Sequence, residues 1–146
     1  MRQALLLAAV ASAAATSASA ATPTRAGWAH GANRACRVEL DRLHALQRPG
    51  QGDYAGLAAY LQNMVAIATP LTKQIAVLPR PTAERGLIAR WIALQWQGVA
   101  VSRQLRAAVL ARDGAKLQSG LVAMARVASR SDTIATQLGA NVCAES

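Results

Sequence analysis

Apolar residues recur along most of this chain at alternating steps of four and three, the spacing that keeps side chains on one face of an α-helix. One run is Leu57, Leu61, Met64, Ala68, Leu71, Ile75 and Leu78; a second is Leu87, Trp91, Leu94, Gly98, Val101, Leu105 and Ala108; a third is Leu117, Leu121, Met124, Ala128, Ser131, Ala135 and Leu138. Each is punctuated as a helix. Asp53 and Asp113 stand where N-caps belong, Pro81 or Thr82 opens the middle helix, which runs to about Arg112, and Gly139 offers a left-handed C-terminal cap. Pro79-Arg80-Pro81 closes the first of these three helices, and Pro70 inside it removes one backbone hydrogen bond, predicting a kink over residues 66–70. A shorter run of Cys36, Leu40 and Leu43 follows Asn33, its candidate cap, and stops before Pro49-Gly50-Gln51-Gly52. The pattern predicts an all-α fold, an antiparallel up-down-up-down four-helix bundle with a short first helix, because short connections make successive helices neighbours.

The start of the chain is different. MRQALLLAAVASAAATSASA has one positive charge at Arg2, an apolar run of about twelve residues and a small-x-small ending, the order of a cleaved secretory signal peptide over residues 1–20. The run is too short to span a bilayer, which needs about 20 apolar residues. Residues 21–32, ATPTRAGWAHGA, have no period and carry Pro23, Gly27 and Gly31, so they read as a flexible N-terminal arm that only Trp28 could pin. Residues 33–146 form the bundle domain. No later segment reaches spanning length without a charge or a proline, and the mature chain is expected to be secreted or held in the cell envelope. Export takes Cys36 and Cys143, the chain's two cysteines, to a compartment where disulfides persist. In an up-down-up-down bundle the start of the first helix and the end of the fourth lie at the same end, so the topology brings the two cysteines within reach of one another.

The ending Ala135 to Cys143, with the pattern AxxLGxxxC, follows an Ala-Arg-Asp-Gly turn at residues 111–114 and a third helix opened by proline. In these features the chain resembles small exported helical proteins of high-GC Gram-positive bacteria. The resemblance implies a helical fold and a cysteine pair, and it implies no activity.

Charge changes the picture little. The formal net charge is +9, falling to +8 when Arg2 leaves with the leader, but the arginines are scattered over all four predicted helices. Together with export, that scatter argues against a nucleic-acid partner. Of the seven acidic residues, Asp53 and Asp113 read as caps, Glu84 belongs to a first turn and Glu145 to the tail, leaving Glu39, Asp41 and Asp132. Asp41 is spaced to pair with Arg37 on a solvated face. No Glu-x-x-His motif supports a di-iron site, no serine stands in an exposing turn, and no glycine loop is built to hold phosphate. A haem or copper site would draw on His30, His44, Met64 and Met124, and the two methionines should share a layer of the bundle, where filling the core is their ordinary role. The sequence therefore calls for no catalytic residues, no metal and no cofactor, and an enzyme is not expected.

One surface stands out. Trp91 and Trp96 are five residues apart and point about 140° apart around a helix, so they cannot share one narrow stripe. With Trp91 in the core stripe, Ile88, Ile92, Trp96 and Val99 make a second apolar face, bordered by Arg85, Arg103 and Arg106. Either a neighbouring helix or the arm covers this face, or it is an exposed patch whose tryptophan and arginines suit another exported protein or an anionic envelope polymer. The sequence thus points to a non-enzymatic interaction module. The alternative is a small-ligand or haem carrier with its gap near Met64, Met124 and Pro70.

Overall fold

The computed structural model describes residues 22–145, so the predicted signal peptide lies outside the described residues. Four helices are present: α1 (Arg25–His44), α2 (Tyr54–Ala76), α3 (Arg85–Leu110) and α4 (Gly114–Leu138), followed by a 3-10 turn at Asn141–Ala144. Among the described residues there is no strand. The all-α antiparallel bundle expected from the periodicity is what forms. The end of α2, the start of α3 and the end of α4 meet in one apolar cluster with α1, built around Ile75, Ile88, Trp91 and Leu138. The opposite ends of α2, α3 and α4 meet in a second, around Ala58, Leu61, Val101, Leu105 and Val109.

The caps explain the boundaries. Asp53 accepts from the Gly56 backbone N–H at 2.8 Å and Asp113 from that of Lys116 at 3.0 Å, each satisfying a donor that the helix start leaves orphaned. Gly139 takes φ +80°, and the Ala140 N–H reaches back to the Ala135 carbonyl at 2.8 Å, so α4 ends where the glycine was expected to end it. α2 runs unbroken across Pro70.

The first helix corrects the sequence reading. It begins at Arg25, not after Asn33, and is 20 residues long, so residues 25–32 are helix where a flexible arm was expected. Thr24 is the cap, its hydroxyl accepting from the Gly27 N–H at 3.1 Å. The glycines and alanines that suggested a loop instead permit close packing. A Cβ at Gly31 would lie 3.3 Å from the Leu78 side chain, and Ala29, Ala32 and Ala35 are buried. Asn33, freed from capping, donates to the Gly139 carbonyl at 3.0 Å and accepts from the Val142 N–H at 2.9 Å, tying α1 to the turn after α4. Beside it Cys36 and Cys143, 107 positions apart in sequence, form a disulfide with Cα atoms 5.2 Å apart.

α1 packs on α2 and on the C-terminal 3-10 turn, and its backbone makes little direct approach to α4. The turn is therefore wedged between first and last helices at one end of the bundle. α1 contributes nothing to the second core cluster, which is why Leu121, an expected core position, is 57% exposed.

Candidate functional site

The expected surface on α3 does not form. Ile88, Ile92 and Val99 are buried, the first two in the cluster that holds α1. Of the apolar residues proposed for the patch only Trp96 reaches solvent, at 37% exposure; Arg85 and Arg103 are exposed and Arg106 is half-buried. The physical reason is that α3 packs against both α2 and α4, with the longer α1 closing over its first half. Trp28, placed by two additional helical turns, stacks edge-on against Trp91 with ring centroids 5.9 Å apart and covers the core face, leaving Trp96 uncapped. The expected Arg37–Asp41 pair is also not made. Among the described residues the one ion pair is Lys116–Asp113, at 3.0 Å.

Between the two apolar clusters lies a cavity of about 160 Å³ reached by side chains from all four helices. α1 contributes Glu39 and Leu43; α2 contributes Met64, Val65 and Ala68; α3 contributes Leu94, Gln95, Gly98, Val99 and Ser102; α4 contributes Met124, Val127, Ala128, Ser131 and Asp132. Met64 and Met124 do share a layer, and it is this one. Gly98 holds part of the space open, since the nearest side-chain atom to a Cβ built there is 3.8 Å away. The separation of α1 from α4 explains why the layer is not filled: these helices meet at one end of the bundle, where Arg25 donates to the Gln137 and Leu138 carbonyls, and their backbones make little approach elsewhere.

The walls are mostly apolar, with a few convergent polar groups, the composition of small-molecule sites. Gln95 donates from Nε2 to the Ser131 hydroxyl at 2.6 Å, which leaves the Gln95 amide oxygen as an acceptor. Glu39 is 8% exposed, and its carboxyl has no hydrogen-bond or ion-pair partner among the described residues. Desolvation pushes its pKa up from 4.5 to about 7, and the same cause raises Asp132 from its ordinary value. No arginine or lysine lines the space. His30 and His44, weighed as metal or haem ligands, are exposed and do not line it. Among the described residues no three His, Cys, Asp or Glu side chains gather as a metal-holding set.

Sequence reading reached Met64 and Met124 but missed Glu39 as a buried group. The signal was present. Extending the first helix upstream to Trp28 gives Trp28, Ala32, Ala35, Glu39 and Leu43 on one face, with an acid embedded in an apolar stripe.

Fold and cavity together define a disulfide-bonded helical bundle with an acid-lined pocket that opens to solvent between its helices. Compared with protein families, with curated proteins and with solved structures, the chain matches none. No helix among the described residues is long and apolar enough to cross a membrane.

Proposed function

We propose that this is an exported small-ligand-binding protein, non-enzymatic, that takes a compact amphipathic molecule into the space between its two cores. One observation carries the reading: a mostly apolar pocket lined by all four helices, with the carboxyl of the largely buried Glu39, which has no protein partner, in its wall. An isolated buried acid is destabilising, so its placement there is accounted for when a ligand supplies its partner. The disulfide is compatible with an oxidising compartment outside the cytoplasm, and the leader-like first twenty residues support the same location. Size argues against the haem form of the carrier reading, since drug-sized ligands already need about 300–1,000 Å³ and the space here is about 160 Å³. An engineered apolar cavity of about 150 Å³ is known to accept benzene, which sets the scale of the ligand. The loss of Ile88, Ile92 and Val99 from the surface removes the apolar support for a docking face on α3.

The test is a fragment screen on the mature protein, followed through the methyl resonances of Met64 and Met124. Compounds of benzene size should shift both methyls and raise the melting temperature in proportion to occupancy. Ala128→Leu, which projects a larger side chain into the cavity, should abolish both effects. If neither methyl moves with any compound of this size, the reading fails.

A further inference from the structure

The chemistry of the lining specifies more than size. Its ionisable groups are Glu39 from α1 and Asp132 from α4; α2 and α3 contribute no charged side chain, and the C-terminal turn contributes none. Gln95 adds an amide oxygen as a further acceptor, because its nitrogen is already engaged with Ser131. Ser102 and Ser131 bring the lining's hydroxyl donors, and no cationic side chain stands against its two carboxyls. A metal ion would need more donors than two carboxyls, and the remaining walls are aliphatic or thioether. A neutral apolar guest would leave Glu39 as unpaired as it is when the cavity holds no guest.

Resting on the reading of the cavity as a ligand site, we propose that its ligand class is a small organic cation: a primary or secondary amine on a compact apolar body, with its ammonium on Glu39 and its body against Met64, Val99 and Met124. An ammonium carries two or three donors, which matches the acceptors that Glu39, Asp132 and Gln95 present. Its apolar body fills the space the methionines leave, flexible side chains that adapt to the shape of a guest. The positive net charge of the protein does not oppose this. No basic side chain lines the cavity, and at physiological ionic strength charges beyond about 8 Å are largely screened. Because burial lifts the Glu39 carboxyl to about pH 7, cation uptake displaces a proton below that pH and meets a ready carboxylate above it.

The experiment titrates the intact, oxidised protein with cyclohexylammonium and with cyclohexanol, its neutral counterpart, reading the Met64 and Met124 methyls at pH 6 and pH 8. The amine remains protonated at both pH values. At pH 8 the amine should bind at least tenfold more tightly than the alcohol. At pH 6 its affinity should fall by roughly tenfold, following the ionised fraction of a group with pKa near 7, while that of the alcohol stays constant. Glu39→Gln keeps the shape of the side chain and should remove both the preference and the pH dependence without loss of fold, which its melting temperature checks. Equal binding of amine and alcohol, or a preference unchanged in Glu39→Gln, overturns the cation class while leaving the cavity as a binding site. If neither compound moves the methionine methyls, the cation proposal and the ligand-site reading fall together.

Discussion

Glu39 stands four residues after Ala35 and four before Leu43, so once α1 is helical its carboxyl goes where the core would otherwise be apolar. Desolvation is the cause of its raised pKa, and the sign of the consequence follows. The folded protein holds a proton that the unfolded chain releases near pH 4.5, so the stability due to this group is complete below that pH and is lost as pH rises through about 7. The loss is on the order of 2 kcal/mol once partial solvent screening is allowed for. Asp132 shifts in the same direction for the same reason, whereas half-buried Asp113, lowered chiefly by the Lys116 backbone N–H, acts in the opposite sense at more acid pH. Chemical denaturation of the unliganded protein between pH 5 and pH 8 should show falling stability for wild type and a much flatter profile for Glu39→Gln. An unchanged slope in the variant would mean that the carboxyl is not desolvated as described. The sequence held the signal for this residue, but it stands out only once α1 is capped at Thr24 rather than Asn33, because Trp28, Ala32 and Ala35 then extend the apolar stripe in which Glu39 sits.

At the scale of the helices, the apolar stripes of α2, α3 and α4 were readable because each persists over several heptads between residues that cap. Val101, Leu105, Ala135 and Leu138 are buried as their spacing predicts. α1 was misread because its first half is built of small residues, which look like loop composition but serve close approach. Two glycines on neighbouring helices show that such positions must be judged by contacts. At Gly98 of α3 an added Cβ meets nothing nearer than a Val127 methyl at 3.8 Å, so Gly98→Ala gains helix propensity without a clash and should stabilise by about 0.5–1 kcal/mol. At Gly120 of α4 the same methyl would lie 2.7 Å from a Leu105 Cδ. Leu105 is buried in the second cluster and must shift, so Gly120→Ala should bring no such gain. The midpoints of urea denaturation for the two variants, measured against wild type, separate these outcomes. A stabilisation of equal size at both sites would show that the α3–α4 contact at Leu105 is looser than the structure has it.

Across the whole molecule, cohesion is uneven in a way that ties the disulfide to the cavity. The second cluster is made by α2, α3 and α4 alone. α1 is held by the first cluster, by Asn33, by the Arg25 guanidinium donating to the Gln137 and Leu138 carbonyls, and by the Cys36–Cys143 bond. That bond closes a loop of 107 residues, and removal of such a link from a small domain costs about 2–5 kcal/mol. The cost should not fall evenly. With the bond replaced by Cys36→Ser and Cys143→Ser, the 3-10 turn and α1 lose their covalent tie and keep Asn33 as the main polar connection between them. Hydrogen exchange should then accelerate strongly in α1 and residues 141–144, with a smaller change in residues 57–64 and 101–109, where neither cysteine participates in packing. Glu39 and Leu43 belong to the loosened helix, so the double variant should also lose occupancy by cyclohexylammonium beyond what its global stability predicts. Uniform acceleration across all four helices would instead make the bundle a single cooperative unit, and the cavity would then owe its shape to the whole core rather than to the way the C-terminal turn holds α1 apart from α4.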